Sequence, residues 1–170
     1  MAAEPDPLLS AAQITVRRTL IEMKESVAAF PGEGLNWRPA GEDTNSIAVL
    51  STHSLHSTRS WLSTAVGEPL PERDRDAEFR VEASGAYGLL ALFDEMSEQC
   101  VALLEPSRSV DWAEIRRTHT RPEPDDDPKV PAAWALLHAI EHLREHLGQM
   151  WLTRQLWDAR ANPQTGEQAN

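Results

Sequence analysis

The sequence predicts an all-α protein, a four-helix bundle with long loops. Three observations predict it. Apolar residues recur at intervals of three and four near residues 7–30, 46–66, 84–105 and 130–158. The segments between them are rich in Gly, Pro and charged residues and read as loops. No stretch shows the sustained alternation of a half-buried strand.

In the first element, Leu8, Leu9, Ala12, Ile14, Val16, Leu20, Met23, Val27 and Phe30 supply the apolar face. Asp6 is placed to cap it, with Pro7 at the first helical position and Pro31-Gly32 as the stop. The loop GEGLNWRPAGEDTN follows, and its Leu35 and Trp37 are expected to fold back over the helices. Thr44, Asn45 and Ser46 are all good caps for the second helix, whose apolar arc holds Ile47, Ala48, Leu50, Leu55, Trp61 and Leu62. On that wheel His53 flanks the arc beside Leu50, and His56 falls on the outer, polar side.

Residues 67–81 form a charged connection, with a short strand-like or 3-10 piece expected around Phe79. The third helix carries Tyr87, Leu89, Leu90, Leu92, Phe93, Met96, Val101 and Leu104 as its apolar content and is stopped by Pro106. In the next connection Asp111-Trp112-Ala113-Glu114 reads as a short helical turn and the rest as loop. Its run Asp125-Asp126-Asp127 lacks the alternating spacing and the Gly of a calcium loop, so it reads as a solvated acidic loop, and His119 as a surface residue. The last helix runs from Val130 to about 158, with Pro131 in its first turn, and the polar tail over 159–170 is expected to fray.

Bulk properties narrow the function. A chain of 170 residues suits one domain, here 1–170, with a sizeable core. A formal net charge of −11 with scattered Lys and Arg argues against nucleic acid and against an anionic membrane as partners. Cys100 is the single cysteine, so the chain has no internal disulfide, and its apolar setting SEQCVALL reads as a buried small hydrophobe. The start MAAEPDPLLSAAQ has no basic segment followed by an apolar run, and no apolar stretch reaches the roughly 20 residues of a membrane span. The expected location is the cytoplasm.

The chemistry-bearing element is the last helix. His138, His142 and His146 stand at i, i+4 and i+8, and at about 100° per residue they form a near-axial row. The apolar arc of Leu136, Ala139, Ile140, Leu143, Leu147, Met150 and Trp151 lies beside His146 and His142, while His138 falls nearer the rim. A lone histidine on such a helix is ordinarily a packed or solvated side chain. Two imidazoles one turn apart on one face can instead hold a common metal ion, given a third ligand from another element. His53 of the second helix is that candidate. Three neutral imidazoles suit Zn²⁺, Ni²⁺ or Fe²⁺ and leave coordination positions open, where water or a thiol would be acidified. His138 is then an orienting or rim residue or a fourth ligand, and Gln149 and Glu145, on the same side of the wheel, can orient ligands or substrate. The spacing H-x-x-E-H occurs at 138–142 and at 142–146, but proteases with that pattern take a carboxylate ligand well downstream, and no fitting helix follows His146.

These residues resemble the DinB/YfiT-like superfamily. The likeness covers about residues 8–158 and is carried by N-S-I-A-V-L-S-T-H at 45–53, by L-H-A-I-E-H-L-R-E-H-L-G-Q at 137–149, by L-N-W-R-P at 35–39 and by D-A-E-F-R at 76–80. The resemblance implies a four-helix bundle in up-down-down-up order, often dimeric. It implies a metal held by one histidine of the second helix and an H-x-x-x-H pair of the last, which fall here on His53, His142 and His146, with His138 outside the triad. Some members of that superfamily are thiol-dependent S-transferases or isomerases using low-molecular-weight thiols such as mycothiol or bacillithiol, others resemble hydrolases, and many have no known activity. The expected function is a metal- and thiol-dependent S-transferase acting on a small molecule as a homodimer. The alternatives are a metal-dependent hydrolase and a non-catalytic metal-binding stress or interaction protein.

Overall fold

Asp6 begins the first helix as the sequence anticipates. Its Oδ1 accepts the backbone N–H groups of Leu8 and Leu9 at 2.7 and 3.0 Å, with Pro7 at the first position. In this computed structural model, which describes residues 4–118 and 129–161, helix α1 spans Pro7–Ala28, α2 Ile47–Val66, α3 the single turn Arg75–Glu78, α4 Ala86–Leu103 and α5 Ala132–Ala161. Strands β1 (Ile115–Arg117) and β2 (Lys129–Pro131) complete a mostly helical protein. His119, the run Asp125-Asp126-Asp127 and the polar tail beyond Ala161 lie outside the described residues. None of the described helices is long and apolar enough to cross a membrane.

Helix α2 packs on α5 and α4, and α1 packs on the same two from the other side. Leu9, Val16, Leu20, Met23 and Val27 of α1 share one core with Leu50, Leu55, Leu62, Phe93, Met96, Leu136, Leu143 and Leu147. Cys100 is buried in that core, where loss of water pushes its thiol up to about 12. The expected return of the first loop holds. Leu35 is fully buried and its carbonyl accepts the Ala48 N–H at 3.0 Å, while Trp37 meets Trp157 edge-on at 5.4 Å between ring centres.

Several sequence expectations are corrected. Two short strands exist: β1 pairs antiparallel with β2, Ile115 opposite Pro131 and Arg117 opposite Lys129. Three-residue strands are too short to print a period in the sequence. Pro131, expected in the first turn of the last helix, therefore sits in β2, and α5 starts at Ala132. The first amides of α5 are satisfied by loop carbonyls, Ala132 N–H to Glu114 at 2.9 Å and Ala133 N–H to Trp112 at 3.0 Å. The piece near Phe79 is one α-helical turn, capped where Asp74 Oδ1 accepts the Ala77 N–H at 2.9 Å. Ile14, Tyr87 and Trp151, counted among the apolar residues of their helices by the sequence pattern, are exposed.

The largest difference concerns α2. It is buried nearly all round, and its would-be polar face consists of Ser51, Ser54, Ser57, Ser60, Ser63 and Thr64, all buried. Short hydroxyl side chains permit this by bonding back to their own helix, as Ser51 does to the Ile47 carbonyl at 2.7 Å and Ser54 to that of Leu50. His56, assigned to the outer face, is accordingly half-buried, and burial lowers its pKa.

Candidate metal centre

The i, i+4 spacing on α5 stacks His142 and His146, and the packing of α2 on α5 brings His53 to meet them. Nε2 of His146 lies 3.1 Å from Nε2 of His142, and Nε2 of His53 lies 3.3 Å from the same atom. A nitrogen from each ring falls within 4.8 Å of the others, the grouping of three that can hold a metal ion. Two imidazoles bound at about 2.0–2.1 Å and a tetrahedral angle would separate their nitrogens by roughly 3.3–3.4 Å, so the observed spacing suits a single cation. His53 and His146 are buried and His142 is partly exposed, which makes the His142 side the more open one.

The far sides of the rings decide what the near sides can do. His53 Nδ1 faces Glu78 Oε2 at 2.9 Å, a carboxylate, so the nitrogen carries the hydrogen and donates it. His146 Nδ1 likewise donates to Gln149 Oε1 at 2.9 Å, and the Gln149 amide is fixed in that sense because its Nε2 donates to Glu145 Oε1 at 3.3 Å. Both rings therefore turn an unprotonated Nε2, a lone pair, toward His142. A proton on His142 Nε2 answers one of those lone pairs and leaves the other facing it, and His142 Nδ1 is itself buried without a hydrogen-bond partner among the described residues. Converging lone pairs with oriented outer partners are the donor set of a metal site.

Electrostatics favour the neutral forms of His142 and His146. Burial, followed by the positive character of His146, His53, His138 and Arg73, pushes His142 down to about 3. Burial also lowers His146, against the opposing hydrogen bond to Gln149. For Glu78 burial alone would raise the pKa, but the hydrogen bonds from His53 and Arg73 outweigh it and hold the carboxyl below its usual range.

His138 stands apart from the triad. Its ring stacks on Trp134 at 4.7 Å and 13° and meets Trp61 edge-on at 4.6 Å, and its Nδ1 lies 3.8 Å from Glu141 Oε2. Its centre lies 5.7 Å from that of His142, and it is not among the three histidines whose nitrogens converge. Gln149 also lines a cleft of about 270 Å³ with Asp43, Thr44, Asn45, Leu50, Leu152, Thr153 and Leu156. That cleft begins one helical turn beyond His146. Glu145 is exposed, accepts from Gln149 Nε2 and acts on His146 through its charge.

Sequence reasoning misses Glu78 and Arg73. Arg73 Nε and Nη2 donate to the two carboxylate oxygens of Glu78 at 2.6 and 2.7 Å, and Nη2 also comes within 3.3 Å of His53 Nδ1. In the stretch RDRDAEFR nothing in the charge pattern separates Glu78 from its exposed neighbours Asp74 and Asp76. The one available signal is that D-A-E-F-R resembles a recurrent segment of the superfamily. Phe79, next in sequence, packs its ring 4.5 Å from that of His53 and explains why the turn lies against the site.

The comparisons agree with this architecture. No curated protein matches the chain. A solved structure described as the conserved protein of locus from Enterococcus faecalis is similar, with a TM-score of 0.63 at 16% identity, over 86% of this chain and 95% of that one. At that identity the likeness concerns the fold. The family model of the DinB superfamily matches residues 15–150. The chain thus belongs to the DinB superfamily.

Proposed function

We propose that the protein is a metal- and thiol-dependent S-transferase that binds one divalent cation, Zn²⁺, Ni²⁺ or Fe²⁺, through Nε2 of His53, His142 and His146. The observation that carries the reading is the convergence of three buried or half-buried imidazole nitrogens on one point, two of them with lone pairs set by outer hydrogen bonds. A cation in such a neutral ligand set supplies Lewis acidity that lowers the pKa of a thiol or of water. The chain's own residues hold the ligands in the right tautomer, exclude water on the His53 and His146 sides, and leave the His142 side open. The cleft beside Gln149 offers apolar walls in Leu50, Leu152 and Leu156 and polar groups in Asn45 and Thr153 for a small amphipathic substrate.

Transfer is favoured over hydrolysis by the state of Glu78. A hydrolase needs a carboxylate free to take a proton from water. Glu78, the buried carboxylate of the site, is engaged by the far nitrogen of His53 and by both Arg73 nitrogens. The accessible His142 side speaks for turnover over a purely structural metal. A single domain and a cytoplasmic location, expected from the sequence, and the up-down-down-up helix order and a homodimer, implied by the resemblance, belong to the same reading.

The test is elemental analysis of tag-free protein, wild type beside His53→Ala, His142→Ala and His146→Ala. Wild type is expected to carry one cation per chain and each variant to lose it. Stoichiometric metal in His53→Ala would remove α2 from the site. A panel of low-molecular-weight thiols with electrophilic substrates then checks the chemistry, and turnover that proceeds with water alone would replace transferase by hydrolase.

A further inference from the structure

We propose that Glu78, locked by Arg73, is a positioning residue that fixes the His53 arm of the centre, a proposal that rests on the triad reading above. A carboxylate is costly to bury unless it is paired and hydrogen-bonded. Glu78 is 5% exposed, while Asp74 and Asp76 on the same turn face solvent. The turn is built to aim it inward. Asp74 caps α3, and Arg38 Nη2 donates to the Phe79 carbonyl at 3.1 Å, tying the turn to the loop before α2. Arg38 Nη1 also donates to the Thr44 carbonyl at 2.9 Å, so one guanidinium pins both connections.

The bonds to Glu78 leave it no freedom. Arg73 takes both oxygens in a two-pronged pair, with side-chain exposures of 9% and 5% for the two partners. Oε2 is left to accept from His53 Nδ1. The carboxylate therefore cannot rotate away, and His53 cannot turn its other nitrogen to the centre. The three rings are held unequally as a result. His53 has an anionic partner, His146 a neutral amide, and His142 Nδ1 none among the described residues. Outer partners of metal-bound histidines fix ring orientation and raise ligand basicity. His53 is thus the pre-set arm, held in place by the connection that follows its own helix.

The test uses Co²⁺ as the probe, titrated against a chelator, with visible absorption reporting the ligand geometry. Glu78→Gln keeps the volume and an acceptor oxygen but removes the charge, and Glu78→Ala removes the contact. We expect Co²⁺ to bind about tenfold more weakly to Glu78→Gln, and up to about a hundredfold more weakly to Glu78→Ala, with a shifted absorption band in both. Asp94→Asn, which breaks the exposed ion pair with Lys24, is expected to leave affinity and spectrum unchanged. Should Glu78→Ala fail to fold, the near-isosteric Glu78→Gln decides. Wild-type affinity and an unshifted band in folded Glu78→Gln would overturn the positioning role alone. Failure of wild-type protein to bind Co²⁺ would overturn the triad and this proposal together.

Discussion

Gln149 Oε1 accepts the Nδ1 hydrogen of His146 at 2.9 Å, and the same amide borders the cleft between α5 and the loop ahead of α2. One side chain thereby joins a candidate ligand of the centre to the candidate substrate space. Removing it in Gln149→Ala frees the His146 ring to rotate. Metal affinity is expected to fall about tenfold, with little loss of fold, because Gln149 is only half-buried. Chelator competition checks the affinity, and an unchanged constant would reduce Gln149 to a wall of the cleft.

His138 separates the histidines that carry the site from the one that borders it. His138→Ala is expected to keep its metal in elemental analysis, since the ring is spent on Trp134 and Trp61. Loss of those ring contacts should cost about 1 kcal/mol of stability. A urea titration reads that cost, and loss of metal would make His138 a ligand.

Much of this arrangement is legible in the sequence because helices write their packing as a period. His142 and His146 share a face by their spacing, and His53 falls beside the apolar arc of its own helix. Other features leave no such trace. Glu78 looks like any acid in a charged connection, and its burial is set by its pairing with Arg73 and by the tertiary contacts of its turn, Phe79 on His53 and Arg38 on the Phe79 carbonyl. The pairing of β1 with β2 joins strands too short to show alternation. The burial of α2 on nearly all sides hides behind serines, which read as surface until their hydroxyls are seen bonded to their own helix.

Acid should destabilise the metal-free protein through His142. Burial, then the neighbouring His146, His53, His138 and Arg73, lowers its pKa from 6.5 to about 3. Between those values the unfolded chain binds a proton that the folded chain refuses. Stability is therefore fully present above about pH 6.5 and falls as pH drops from there toward 3. One proton corresponds to about 1.4 kcal/mol per pH unit, an upper bound because His142 is partly solvated. Urea midpoints at pH 5 and pH 7 measure the slope. The slope should shrink in His142→Gln, and an equal slope in both proteins would assign it to other groups.

Gly67 closes α2 in the left-handed region, φ 77°, where its N–H reaches the Ser63 carbonyl at 3.0 Å. A β-carbon there meets a second obstacle, the Arg116 guanidinium, whose Nη1 would lie 1.7 Å away. That guanidinium is held over the helix end by Glu114, at 2.8 Å from Nη2. Gly67→Ala should therefore cost about 1–2 kcal/mol for the backbone alone, and more while Arg116 stays in place. The two causes separate in a double-mutant cycle. In an Arg116→Ala background the clash disappears and the conformational cost remains, so the penalty of Gly67→Ala should shrink without vanishing. An identical penalty in both backgrounds would show that Arg116 moves aside freely and that the turn alone demands glycine.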